Sequence, residues 1–300
     1  MSLWIPVTLA AAFFQTLRFM LQKHLSRVDL SPAGATFARF FYSAPLVAVL
    51  LALYLNASGQ ALPTLGLAFW IYGAAGGAAQ ILATICVVML FKQRNFAVGI
   101  TFKKTEVIQT VLVGWVILGE GVSIWGFAAI LIGLIGVLLL SDPPGGDGVW
   151  LRRIANRAAG IGLVSGVFFA ISGVCYRGAS LEIASADPLL RAGVTLSAVT
   201  AMQMVAMAIW LRLREAGEIT AVWRVRKVAG WIGLTSMAGS MCWFTAFTLQ
   251  TAAYVNALGQ VELIFSLLAS TLFFREMISR REIFGIAILA ISILMLILVI

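Results

Sequence analysis

The chain is 300 residues long, 61% hydrophobic and only 11% charged, with a mean hydropathy of +1.01. An ordinary soluble domain is roughly a quarter charged, and soluble monomers avoid the large apolar patches that so greasy a chain would have to expose. Composition therefore excludes a pair of soluble domains and points to a polytopic membrane protein. The net charge of +9 sits between apolar runs, which assigns it to membrane topology and anionic lipid headgroups and not to nucleic acid.

The N-terminus, Met1-Ser2-Leu3-Trp4-Ile5, lacks the positive n-region of a cleaved signal peptide, so the first apolar run is expected to be a retained span. A span needs about 20 mostly apolar residues. Runs bounded by charges, Gly and Pro predict ten helices, over 3–22, 33–55, 66–91, 97–118, 122–140, 158–178, 188–211, 228–250, 253–274 and 283–299. The runs are continuous and not alternating, which favours helices over a barrel, because a helix satisfies its own backbone hydrogen bonds in lipid. The longest connector carries the strongest breaker in the chain, Asp142-Pro143-Pro144-Gly145-Gly146-Asp147-Gly148. It divides the chain into a first repeat, 1–140, a cytoplasmic linker, 141–157, and a second repeat, 158–300.

The halves read as copies. A shift of 156 positions carries Pro32 onto Pro188, Cys86 onto Cys242, Phe91 onto Phe247 and Ala97 onto Ala253. It also carries Glu106 onto Glu262 and Glu120 onto Glu276, in a chain with only eight glutamates. Connectors after odd-numbered helices hold fifteen basic residues, among them Lys23, Arg27, Lys92, Arg94, Arg152, Arg153, Arg224, Lys227 and Arg275, whereas those after even-numbered helices hold Arg177 alone. By the positive-inside rule the first set is cytoplasmic and both termini are periplasmic. With five helices per half, the second copy enters the membrane from the opposite side. The expected fold class is an all-α polytopic membrane protein, ten transmembrane helices as two five-helix inverted-topology repeats, an arrangement that suits alternating access.

Charged residues inside spans cost about 3 kcal/mol each on insertion scales and usually face a partner or a wet cavity. The acidic ones here are Glu106 and Glu262, each near the middle of its helix. One reading gives them a cationic group or a coupling proton; the other has a basic neighbour hold each as a packing lock. Lys103 shares a face with Glu106, which Gln109 continues, and Thr101, Lys104 and Thr105 add to a polar stripe. Asn256 and Gln260 form a polar row beside Glu262, with Gly259 and Ser266 on its own face. Arg18, with Gln15 and Gln22 on its side, reads as a pathway residue. Arg39 and Arg191 are expected to snorkel to the interface. Trp243 and Tyr254 could stack on a substrate. Glu120 and Glu276 read as interfacial and structural, and Gly73-x-x-x-Gly77, Gly162-x-x-x-Gly166, Gly114, Gly126, Gly133 and Gly136 as packing positions. The basic excess favours an anionic or zwitterionic substrate.

Nothing points to an enzyme. The single histidine is His24, and no HExxH, GxSxG, P-loop or paired-cysteine signature is present. Cys86, Cys175 and Cys242 lie in apolar runs and read as small hydrophobes. No metal and no cofactor are expected, so a gradient, with the proton gradient the first candidate, or simple facilitated flux would drive any transport.

The stretches Thr105 to Gly136, with Gly119-Glu120, and Gln260 to Ile291, with Arg275-Glu276, together with Pro32 to Arg39 and Pro188 to Arg191, resemble the drug/metabolite transporter superfamily, EamA-like branch. The resemblance covers the whole chain. It implies a central cavity lined by helices 1 to 4 and 6 to 9, with helices 5 and 10 outside as support, and export of amino acids, drugs or other metabolites, with import or exchange in some members. Helix 1 departs from the usual Trp-Ser or Trp-Gly step, with Phe14-Gln15-Thr16 before Arg18. The function expected from the sequence is inner-membrane export of small polar metabolites, amino acids or organic anions, by a monomer or homodimer in contact with lipid. A cationic-drug/proton antiporter using Glu106 and Glu262, an uptake or exchange carrier, and a non-transporting scaffold are the alternatives.

Overall fold

A computed structural model describes residues 2–25, 30–91, 102–141, 157–274 and 279–299. Arg27, Lys92, Arg94, Thr101, the 142–148 breaker, Arg152, Arg153, Arg275 and Glu276 lie outside the described residues, as do the side chains of Gln22, Lys23 and His24. The described residues form α1 (Trp4–Leu25), α2 (Pro32–Ser58), α3 (Leu67–Phe91), α4 (Glu106–Leu118), α5 (Ile124–Ser141), α6 (Arg157–Leu181), α7 (Pro188–Arg214), α8 (Glu218–Arg224), α9 (Arg226–Leu249), α10 (Ala252–Gly259), α11 (Glu262–Phe274) and α12 (Arg280–Val299). Seven of them, α1, α2, α3, α6, α7, α9 and α12, are long and apolar enough to cross a membrane alone. The other apolar stretches are shorter: Glu106–Leu118, Ile124–Leu140 and Ala252–Leu268. Large apolar side chains such as Val116, Ile124, Leu213 and Leu298 face outward, as lipid contact requires.

The 156-residue shift describes the helices as well as the sequence. It superposes α2 on α7 and α4 on α11 end for end, and starts α12 where α5 starts. The strongest packing pairs come in exchange-related sets. α3 lies on α6 as α1 lies on α9, while α2 packs on α7 and α5 on α12. The two halves therefore meet along a seam and neither is a separate body.

Two expectations fail in the same way. The continuous helices predicted over 97–118 and 253–274 are each interrupted, at Lys104–Thr105 and at Gln260–Val261. Tight i→i−3 bonds replace the helical ladder there: Thr105 N donates to Phe102 O at 3.1 Å, and Val261 N to Leu258 O at 3.1 Å. Hydrophobic periodicity cannot report such a break, because one tight turn barely changes which face is apolar. Each break places a glutamate, Glu106 or Glu262, in the first turn of a 13-residue helix, where the helix dipole favours negative charge. The connector after α7 also departs from expectation, since it contains the short helix α8.

Helix caps tie the repeats together. Ser31 caps α2, its hydroxyl accepting from Gly34 N, and is held by Glu215 and by Glu218, the latter at 3.2 Å from Ser31 N. Asp187 caps α7, accepting from Leu189 N at 2.9 Å, and receives Tyr54 Oη at 2.6 Å and Gln60 Nε2 at 3.0 Å. Each cap is thus gripped by the segment around the end of the second helix of the other repeat. Burial pushes the Asp187 carboxyl up, but hydrogen bonds from Tyr54, Gln60, Leu190 N and Leu189 N together hold it below the ordinary carboxylate range. A depressed folded value stabilises the fold above the unfolded value of about 3.9, and that contribution disappears as pH falls through the folded value. Asp187→Ala is expected to lose about 1 kcal/mol at neutral pH and progressively less as pH falls through the folded value, where wild type gives up the same carboxylate. Unfolding in detergent across that range checks it.

At the α5–α12 part of the seam the helices approach through glycine. A Cβ at Gly136 would lie 2.9 Å from Leu289 N and 3.0 Å from Gly285 O. Backbone cannot rotate away as a side chain can. Gly136→Ala is expected to push α5 off α12 and cost about 1–3 kcal/mol, read as a lowered unfolding midpoint.

Candidate functional site

A cavity opens where the repeats meet, with about 530 Å³ of space between atoms, part of it continuous with the outside. Gln15 and Arg18 of α1, Arg39 of α2, Gln80 of α3, and Lys103 and Glu106 at the first break line it from one repeat. Phe169, Ser172 and Tyr176 of α6, Ser240, Trp243, Phe244 and Phe247 of α9, and Asn256 of α10 line it from the other. Among the described residues, none of α5 or α12 reaches it.

Its walls are aromatic. Tyr176 and Phe244 stack with ring centres 4.4 Å apart, and Trp243 and Phe247 at 5.6 Å. Gly259 makes room for the Trp243 indole, because a Cβ there would fall 2.3 Å from its ring. The Lys103 ammonium lies 4.6 Å from the Phe169 ring centre, a cation–π distance.

Its charges are buried and partly paired. Lys103 Nζ lies 3.0 Å from Glu106 Oε2. Asn256 Nδ2 donates to Thr110 Oγ1 at 3.0 Å, which joins α10 to α4. Arg39, expected at the interface, is instead 5% exposed and lines the cavity. Its guanidinium donates to Ser236 Oγ at 2.9 Å, Thr84 Oγ1 at 3.3 Å and Ser240 Oγ at 3.3 Å. The reason is local. Ser236 and Ser240 stand one turn apart on α9 and, with Thr84, offer hydroxyls at the depth where snorkelling would otherwise be needed. Arg191 is half-buried and donates to Ser180 O at 2.7 Å.

The second glutamate belongs to a different setting. Glu262 does not line the main cavity. Gln15 Nε2 donates to its Oε2 at 2.6 Å, and Lys104 Nζ lies 3.5 Å from its Oε1. Lys104 and Gln260 line a small crevice toward α5 and α12. Lys103 and Lys104 are adjacent in sequence but point to opposite sides of the break, so only the first reaches the main cavity. Gln109 donates to Thr105 Oγ1 at 3.1 Å and packs near Gly166 of α6. Tyr254 sits under α5, its hydroxyl accepting from Ser123 N at 3.0 Å, and has no part in the cavity. Glu120 forms an ion pair with Arg177, in keeping with a structural role.

Sequence reading missed Arg39, Gln80, Tyr176, Phe244 and Phe247 as lining residues. The polar signal was there in Gln80 and in the Ser236–Ser240 spacing, but isolated polar residues in a span do not say which neighbour they meet. Gln203 shows this. Its Nε2 lies within hydrogen-bond reach of Gly77 O, Gln80 Oε1 and the Tyr176 hydroxyl, linking α7 to α3 and α6.

Residues 2–142 and 156–298 each match the EamA-like transporter family. The chain belongs to that family. This EamA-like transporter is therefore a multi-pass membrane protein of the drug/metabolite transporter type, built from two copies of the family's repeat. No curated protein matches the sequence. One solved structure, described as "Crystal structure of protein", superposes with a TM-score of 0.72 at 16% identity, over 98% of the transporter and 96% of that chain. At that identity the likeness speaks for the fold alone.

Proposed function

We propose that this EamA-like protein is a secondary transporter that exports small polar metabolites, amino acids or organic anions, across the inner membrane by alternating access. The observation that carries the reading is a charged, aromatic-walled cavity at the seam between two repeats, in a chain with every other feature of a lipid-embedded body. The exchange-related packing and the matching helix breaks support it, because two equivalent halves can rock about a site between them. With five spans per half, and the basic residues gathered on one side, the second repeat runs opposite to the first and both termini face the periplasm. A proton gradient, or simple facilitated flux, drives the cycle, and Glu106 and Glu262 are its candidate proton or substrate groups. Uptake or exchange would use the same cavity.

Reconstitution into proteoliposomes tests this. Counterflow with a panel of labelled amino acids, organic acids and amines is expected to reveal saturable flux of at least one solute, while a protein that binds solutes yet moves none would be a scaffold. The cationic-drug/proton antiporter finds less support, because each carboxylate it needs already lies beside a lysine.

A further inference from the structure

The charges in and beside the cavity do not cancel. Among the described buried residues near it, Arg18, Arg39, Lys103 and Lys104 are cationic, and Glu106 and Glu262 are the carboxylates. Both carboxylates are already engaged, Glu106 by Lys103 at 3.0 Å and Glu262 by Lys104 at 3.5 Å. A substrate ammonium would therefore have to displace a lysine. An anion would not.

Arg39 supplies the complementary observation. A guanidinium has five N–H donors, and three of them go to the hydroxyls of Ser236, Thr84 and Ser240. Those bonds use Nε and one N–H on each of Nη1 and Nη2. Hydroxyls orient a guanidinium without neutralising it, and a buried charge without a counter-charge is costly. Among the described residues nothing takes the second N–H on each Nη, and Nη1 and Nη2 are a pair of atoms that a carboxylate can span in a bidentate fork. Beside this group run the stacked aromatic pairs, and the Trp243 indole N–H is buried with no acceptor among the described residues.

We propose that Arg39 is the anion-binding residue of the cavity and that the substrate is a small organic carboxylate with an aromatic or otherwise planar body, and neither an amino acid nor a cation. Ser236, Ser240 and Thr84 are positioning residues that aim the guanidinium. The Tyr176–Phe244 and Trp243–Phe247 pairs hold the body of the substrate, and the Trp243 N–H receives an acceptor on it. This rests on the transport reading for its biological meaning, but binding can be measured apart from flux.

The test uses purified full-length protein in detergent, with four probes: benzoate, phenylalanine, phenethylamine and inorganic phosphate. The first three share a ring and differ in head group, and phosphate has the charge without the ring. Benzoate is expected to raise the unfolding midpoint and to bind, as a radiolabel, at least tenfold more tightly than the other three. Arg39→Gln is expected to weaken benzoate at least tenfold, Arg39→Lys to recover part of that loss, and the Ser236→Ala/Ser240→Ala pair to weaken it less than Arg39→Gln does. Equal or tighter binding of phenethylamine or phenylalanine, preference for phosphate, binding of none of the four, or unchanged benzoate affinity in Arg39→Gln would each overturn the proposal. The wild-type head-group order decides the matter even if Arg39→Gln does not fold. Arg39-dependent benzoate binding without counterflow would end the transport reading and leave the site standing; counterflow of amines alone would do the reverse.

Discussion

Replacing Glu262 by alanine is expected to destabilise the protein by about 3–5 kcal/mol, the cost of breaking a buried ion pair from one side. Glu262 is 8% exposed and Lys104 2%, so the lysine left behind cannot reach water. Its Nζ has no hydrogen-bond partner among the described groups beyond the ion-pair contact itself. Gln15 also loses its acceptor, at 2.6 Å, and with it a tie between α1 and the start of α11. The double variant Lys104→Met/Glu262→Ala is expected to recover much of the loss, since removing both charges avoids the stranded cation. Detergent unfolding of the two singles and the double measures the coupling. A coupling near zero would mean that the 3.5 Å contact is not an interaction. Glu106 differs at the equivalent position of the first repeat. Its Lys103 partner is three residues away on the same segment and both line the cavity, so Glu106→Gln is expected to cost less.

The second large effect is expected at Arg177. Its Nε lies 2.7 Å from both carboxylate oxygens of Glu120, and its Nη1 donates to Phe247 O and Gln250 O at 2.8 Å each. One side chain of α6 therefore joins the end of α4 to the end of α9. The two carbonyls lie at a helix C-terminus, where acceptors lack helical partners and a cation is favourable. Arg177→Ala leaves a part-buried carboxylate and two carbonyls without their donor, and is expected to cost about 3 kcal/mol. Glu120→Gln keeps an acceptor and is expected to cost about 1 kcal/mol. The residue is less enclosed than Glu262, with 13% of its side chain exposed, which sets the smaller figure. An Arg177→Ala midpoint matching that of wild type would remove the clasp from the account.

Why part of this was readable in advance and part was not follows from the range over which each interaction acts. The membrane setting, the helical class and the two-fold repeat are written in runs of neighbouring residues. Twenty apolar side chains in a row satisfy lipid whatever their neighbours do, and two glutamates recurring 156 positions apart mark a duplication before any coordinate is seen. Glu120 could be read as structural because it ends a helix beside Gly121, and α4 does end there, with Gly119 capping it at φ 67°.

The helix breaks were not readable, because an apolar stripe runs through them uninterrupted and only the backbone bonds change. Nor could sequence choose between the two lysines. Lys103 and Lys104 are chemically alike and adjacent, yet the turn between the helical pieces sends one into the cavity and the other to Glu262. Arg39 gives the sharpest contrast. By itself it is a long cation two turns inside a helix, and such a residue reaches for water unless something nearer receives it. What receives it is Ser236 and Ser240 from the other repeat and Thr84 from α3, hydroxyls 197, 201 and 45 positions away. Sequence by itself determined that charged groups would be buried in a helical membrane body made twice. Only the packing of one copy against the other decided which of them face each other and which face the space left between, because that depends on contacts between residues too far apart in the chain for any local pattern to record.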